Sequence, residues 1–317
     1  MSDRQQLDAL LAALVEAGRP SSMSLPRESG LRNFTELAQW LSGPAAGPAG
    51  QDAAIAGPSG PVPVRIYRPD PGAGDAAANQ PAAMYFHGGG WVFGGLDSHD
   101  CMCRELARQS GVMLVAVDYR LAPEHPFPAG LDDCLAATRW VSAHAAELGA
   151  DGTRLAVAGD SSGATLAAAV AMLARDQGGP ELALQVLAYP ALDPAMSTAS
   201  YAENADDPFL SRAEMESYWS LYLAGVDPDS RAAPALAADL TGLPPAYVLL
   251  AGHDVLRDEG AGYARLLRDG GATVQVRLHE EMVHGFLLCT GWLDAAREGI
   301  GELAMVLRTG LGAAGIQ

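Results

Sequence analysis

The chain has 317 residues, 49% hydrophobic and only 18% charged, which suits one large α/β domain or two small ones and excludes a disordered chain. Its formal net charge of −18 argues against nucleic acid or an anionic membrane surface as a partner. All 20 basic residues are arginine, so a Walker-A phosphate loop, a Schiff-base or pyridoxal-phosphate lysine and a Ser–Lys hydrolase are all excluded.

The amino-terminal Met-Ser-Asp-Arg-Gln-Gln-Leu-Asp carries no apolar signal core, and no run of 18 apolar residues follows. The expectation is a cytoplasmic protein without stable membrane association. Two helical stripes come first, Leu7, Leu10, Leu11, Leu14 and Val15, then Leu31, Phe34, Leu37, Ala38 and Leu41. Prolines 20, 26, 44 and 48 and Gly43 punctuate them.

Strand candidates follow at 62–68, 83–86, 112–118, 155–158, 184–189, 246–250 and 274–279. Helical stretches at 101–109, 131–147, 162–176, 259–269 and 293–307 separate most of them. Such alternation predicts an α/β fold, a mostly parallel central sheet with helices on both faces. The Gly/Ala/Pro-rich stretch 72–81 reads as a flexible surface loop.

Between Pro190 and Pro245 the rhythm breaks into a helical patch bearing Tyr201, Phe209, Tyr218, Trp219 and Tyr222. In an α/β sheet, long excursions beyond strand ends lie over the ligand crevice. Residues 191–232 and 1–45 are therefore expected to form a cap, with 46–190 and 233–317 as the catalytic domain. Phe34, Trp40 and Phe209 are candidates for lining an apolar pocket, with packing inside the cap as the competing assignment.

The most informative stretch is Gly159-Asp160-Ser161-Ser162-Gly163, set between an apolar strand-type run and an alanine-rich helical one. A serine at a strand–turn–helix junction, flanked two residues away by glycines, has the pattern of a nucleophile elbow. Earlier, Met84-Tyr-Phe-His87-Gly88-Gly89-Gly90-Trp91 is a strand running into three glycines, whose amides can converge on one oxyanion. The competing assignments are a phosphate loop, which lacks its GK[ST], and a plain tight turn. His87 reads as a buried group that orients this loop.

Seven histidines compete for the role of base. His284 lies just beyond the last strand, where a loop reaches the edge at which Ser161 stands. His279 belongs to that strand, facing solvent or a helix, and His144 is a surface residue of a long helix. Asp254 ends the preceding strand at the same edge, whereas Asp258 and Glu259 open the next helix, where its dipole favours carboxylates anyway. Serine, acid and histidine in that chain order follow the α/β-hydrolase pattern. The four cysteines, 101, 103, 134 and 289, suit a reducing compartment. His99-Asp-Cys101-Met-Cys103 has no zinc spacing, and on a helix its cysteines would diverge by about 200°.

These segments resemble the hormone-sensitive-lipase family of carboxylesterases, the bacterial family IV esterases. The likeness rests on His87-Gly-Gly-Gly-Trp91, Asp118-Tyr-Arg-Leu-Ala-Pro-Glu-His-Pro-Phe-Pro128, Gly159-Asp-Ser-Ser-Gly163, Gly252-His-Asp-Val-Leu-Arg-Asp-Glu259 and His284-Gly-Phe286. It implies an α/β-hydrolase fold with Ser161 as nucleophile, His284 as base, Asp254 as orienting acid, and oxyanion donors from Gly89, Gly90 and the amide of Ser162. It also implies a structural role for 120–128 and hydrolysis of short-to-medium acyl esters without metal or cofactor. The chain departs from the family pattern at Ala164, where glycine is usual, and at Val255, where proline is common. Competing expectations are a silent small-molecule receptor on the same fold, which lacks the histidine in its known form, and a lactone, carbamate or amide hydrolase. The oligomeric state is left open, a homo-oligomer included.

Overall fold

The computed structural model describes residues 1–18, 20–69 and 79–313. The expected loop at 72–81 lies outside the described residues over 72–78. Its last two residues instead open a strand.

Two helices, α1 (Asp3–Ala17) and α2 (Arg27–Ser42), precede a hairpin of β1 (Gln51–Gly57) and β2 (Gly60–Tyr67). Then come β3 (Gln80–Phe86), α3 (Asp100–Ser110), β4 (Met113–Val117), α4 (Ala129–Ala143), α5 (Ala145–Leu148), β5 (Ala150–Asp160) and α6 (Ser162–Asp176). The carboxyl half holds β6 (Leu184–Ala188), α7 (Ala199–Glu203), α8 (Arg212–Leu223), β7 (Ala246–His253), α9 (Arg257–Asp269), β8 (Val274–Val283) and α10 (Asp294–Gly310).

The strands form one sheet in the order β1-β2-β4-β3-β5-β6-β7-β8. From β4 to β8 all neighbours are parallel, while β1 and β2 are antiparallel additions at one edge. β1 was not foreseen. Gln51-Asp-Ala-Ala-Ile-Ala-Gly57 has few β-branched residues, and its strand form comes from pairing with β2 across the turn at Pro58 and Ser59. The helix expected over 131–147 is interrupted at His144, which ends α4 and stacks on Trp140.

Side chains of the central strands alternate between two cores, as the pleat requires. Met84 and Phe86 of β3, Val115 and Val117 of β4 and Val157 of β5 face α4, α6 and α9. Ala83 and Tyr85, Leu114 and Ala116, and Ala156 and Ala158 face α3 and α10. Both sides are covered, so these strands read as continuous apolar runs.

This order also places the site. β3 is followed in space by β4 on one side and β5 on the other, so the chain reverses its direction of travel at β3 and β5. At such a switch point the loops leaving two adjacent strands diverge and open a crevice at the carboxyl edge. The loop after β3 carries Gly88–Gly90, and the turn after β5 carries Ser161.

Candidate active site

Ser161 sits between β5 and α6 with φ of +54°, a conformation rare for any residue with a side chain. The turn is so tight that a Cβ on Gly163 would lie 2.0 Å from the Phe86 carbonyl oxygen, and one on Gly159 would lie 2.5 Å from Gly163 itself. Backbone meets backbone at both points, so only glycine fits. Ala164, one residue further on, is wholly buried without displacing the elbow.

Three side chains from three strand ends join in series. His284, after β8, brings Nε2 to 2.9 Å from Ser161 Oγ, and its Nδ1 lies 2.8 Å from Asp254 Oδ2. A carboxylate can only accept, so Nδ1 carries the proton, and Nε2 accepts the hydroxyl proton of Ser161. Asp254, just past β7 and 1% exposed, is fixed by the Leu256 amide, which donates to its Oδ1 at 2.9 Å. Burial alone would pull the pKa of His284 down. The charge and hydrogen bond of Asp254, aided by Asp160 and Asp207, outweigh burial and leave it above its ordinary value.

Facing the serine is the glycine loop. Gly89 and Gly90 adopt φ of +119° and +62°, which side chains disfavour, and a Cβ on Gly90 would strike the Tyr218 ring. The amides of Gly89, Gly90 and Ser162 have no acceptor among the described residues, whereas Gly88 donates to Asp160 Oδ1 at 3.0 Å. His87 is buried, its Nδ1 2.8 Å from the Gly88 carbonyl and its ring stacked on Tyr119, as expected of a loop-orienting group. Burial pushes its pKa down to about 3, so it stays neutral.

Ser161 and His284 open into an apolar crevice. From α2 it receives Phe34, Leu37 and Leu41, and from the 191–232 segment Phe209, Leu210, Met215 and Tyr218. Leu288 and Cys289, beyond β8, complete it. Trp40 is not among its lining residues; it packs on Trp292 with ring centroids 4.8 Å apart. At 100° per residue, Phe34, Leu37 and Leu41 share one face of α2, and Trp40 lies about 100° away from Leu41. α1 is also remote from the crevice, with Gln6 bonded to Asp294 at the start of α10. Leu37, Leu41, Leu210, Met215, Leu288 and Cys289 were not singled out from sequence as pocket residues, because an apolar residue facing a crevice reads like one facing a core. The remaining aromatics of the inserted segment, Tyr201, Trp219 and Tyr222, are buried.

His279 meets Glu302 of α10 at 3.1 Å, as a strand residue facing a helix should. Cys101 and Cys103 diverge on α3, the first half-exposed and the second buried. No helix among the described residues is long and apolar enough to cross a membrane.

A mostly parallel sheet carrying a strained serine, an aspartate and a histidine beyond the ends of β5, β7 and β8 defines an α/β hydrolase. A family model described as the alpha/beta hydrolase fold matches residues 83–288. The chain is 46% identical over 255 residues to the carboxylesterase NlhH of Mycobacterium tuberculosis, covering 79% of each protein. It is 36% identical over 297 residues to an ethyl acetate hydrolase of Pseudomonas putida, covering 90% of this chain and 93% of that one. An α/β-hydrolase enzyme from the metagenome of Lake Arreo, Spain, superposes with a TM-score of 0.90 at 38% identity over 98% of both chains. The chain belongs to the hormone-sensitive-lipase-like carboxylesterase family of α/β hydrolases.

Proposed function

We propose that the protein hydrolyses carboxylic esters of short-to-medium acyl chains through an acyl-enzyme on Ser161. The observation that carries this reading is the unbroken series Ser161–His284–Asp254, with contacts of 2.9 and 2.8 Å. His284 takes the hydroxyl proton as Oγ attacks the ester carbonyl, and Asp254 holds the ring and stabilises its charged form. The amides of Gly89, Gly90 and Ser162 receive the oxyanion, each lowering the barrier by roughly 3 kcal/mol. When the tetrahedral adduct collapses, His284 protonates the leaving alcohol. Water deprotonated by the same imidazole then releases the acid.

In this reading, residues 1–45 and 191–232 form the cap, of which α2, the loop before α8 and α8 itself close over the acyl chain while α1 stays away from the crevice. Phe34 and Phe209 contact the substrate. The apolar lining from both segments suits a short-to-medium acyl chain, and a relative of similar length is named for ethyl acetate. A cytoplasmic location is supported by four unpaired cysteines.

Two experiments test it. A fluorophosphonate should label the native protein at Ser161 and fail to label it after denaturation. In a panel of aryl esters, kcat/KM should peak between acetyl and octanoyl. A profile still rising beyond dodecanoyl would overturn the chain-length assignment, and a native serine that takes no label would overturn the mechanism.

A further inference from the structure

Asp258 and Glu259, the carboxylates that rival Asp254 in the sequence, bind the inserted segment rather than His284. Asp258 Oδ2 accepts from the Ser200 amide at 2.9 Å, and Glu259 Oε1 accepts from the Leu192 amide at 2.6 Å. Arg257 donates to Glu203 at 2.7 Å and to the Gly252 carbonyl at 3.1 Å. The start of α9 therefore grips α7, a helix of five residues that is too short to hold its own conformation in water.

The grip runs both ways. Ser200 is 0% exposed. Its hydroxyl donates to the Val255 carbonyl at 2.7 Å and accepts from the Asp258 amide at 3.2 Å. Asn204 ends α7, and its side-chain amide donates to the Asp254 carbonyl at 3.3 Å and to the Ser200 carbonyl at 3.2 Å. Asp254 stands just past β7, whose pairing with β8 is already irregular between Ala251 and His253, so the strand ladder does not fix it. Two side chains of the inserted segment thus fasten the carbonyls of Asp254 and Val255, the backbone from which the carboxylate hangs.

We propose that Ser200 and Asn204 are positioning residues of the relay, which set the turn carrying Asp254 so that its carboxylate meets His284. The proposal rests on Asp254 as the orienting acid. An aspartate side chain is short, so a shift of its backbone passes almost undiminished to Oδ2 and to the 2.8 Å contact with His284. The Ser200 hydroxyl resists such a shift, since losing either partner would leave a Val255 carbonyl or an Asp258 amide unpaired away from water. The Asn204 carbonyl in turn accepts from the Asp207 amide at 3.0 Å, two residues before Phe209 of the crevice wall. One continuous piece of chain therefore shapes the wall of the crevice and registers the acid behind the base.

The first test reads the Asp254–His284 contact itself. The Nδ1 proton of His284, bonded to a buried carboxylate, gives a far-downfield proton resonance, assigned by its loss in Asp254→Asn. Asn204→Ala, at a half-buried position, should move that resonance upfield or broaden it, and Ser200→Ala should do so more strongly. This readout needs no turnover, so it stands whether or not the protein hydrolyses esters.

The second test is a double-mutant cycle with the acid. For an acetyl aryl ester, Ser200→Ala should lower kcat by roughly tenfold to a hundredfold with KM nearly unchanged, as expected of a misplaced catalytic group. In an Asp254→Asn background the same substitution should cost less than about twofold, because members of one unit fail together. Should Ser200→Ala fold poorly, Asn204→Ala takes its place in the cycle, with an expected loss of roughly fivefold. A downfield proton unmoved in Asn204→Ala, or equal losses in both backgrounds, would mean that α7 merely supports the fold, and would overturn the proposal. Turnover of the same ester by the wild type reports separately on the ester-hydrolase reading.

Discussion

Ser161 is a hydroxyl that does nothing in isolation, and its environment supplies the difference. The strained turn presents Oγ at the sheet edge, and the imidazole proposed as its base already lies 2.9 Å away, oriented by Asp254. Ser161→Ala and His284→Ala should each lower kcat by roughly 10⁴-fold or more, because members of such a unit fail together. Circular dichroism should show the fold unchanged, since neither side chain bridges large elements. The raised pKa of His284 also fixes the sign of the pH response. Its neutral form is the base, so activity is lost as pH falls through that pKa. The acid limb of kcat/KM should have its midpoint above the ordinary histidine value of about 6.5, and Asp254→Asn should shift it downward. A wild-type midpoint well below that value would contradict the relay.

The elements matter because they deliver residues distant in sequence to one crevice. α2 does so through Arg27, whose Nη1 and Nη2 donate to the carbonyls of Val92 and Ala122 at 2.5 and 3.0 Å and whose Nε pairs with Glu124 at 2.9 Å. One guanidinium thus holds the helix bearing Phe34 and Leu37 to Val92, just beyond Gly88–Gly90, and to the loop carrying Ala122. The pair with Glu124 is partly exposed and adds little, so the carbonyl bonds dominate. Arg27→Met keeps an unbranched apolar side chain and removes those bonds together with the guanidinium's contact over the Phe93 ring. It should raise KM for an octanoyl ester by roughly tenfold, consistent with about 1–2 kcal/mol, and leave kcat for an acetyl ester nearly unchanged. Equal effects on both esters would mean that α2 supports the loop rather than the acyl chain. α8 is secured differently, by a capping box in which Ser211 and Glu214 bond reciprocally to each other's backbone amides.

For the whole molecule, the surplus of 38 acidic over 20 basic side chains is a field rather than a contact. Much of the arginine is consumed locally, as at Arg65, which meets Asp52, Asp97 and Asp100. The remaining negative potential repels anionic substrates. The kcat/KM for a negatively charged ester should therefore rise with ionic strength, while that for a neutral ester of equal length should stay level. A decline for the anionic ester would indicate a local cationic patch at the crevice mouth.

The chemistry was legible in one dimension because it depends on residue types at strand ends, and strand ends are marked by apolar runs breaking into glycine or acid. Ser161, His284 and Asp254 were singled out this way, and the structure brings their side chains into contact; the alternation of elements was read in the same manner. β1 was not, since its conformation derives from its partner strand rather than from its own residues. Nor was the position of Trp40, because the face of α2 that meets the crevice is set by how the helix docks. The contact of His99 with Asp160 was equally invisible, since these residues are 61 positions apart and meet only when α3 packs on the sheet in which β5 lies beside β3. Local sequence thus determined which groups could react. Tertiary structure decided which of them touch, because proximity between distant residues is a property of sheet order and helix docking, which no single segment encodes.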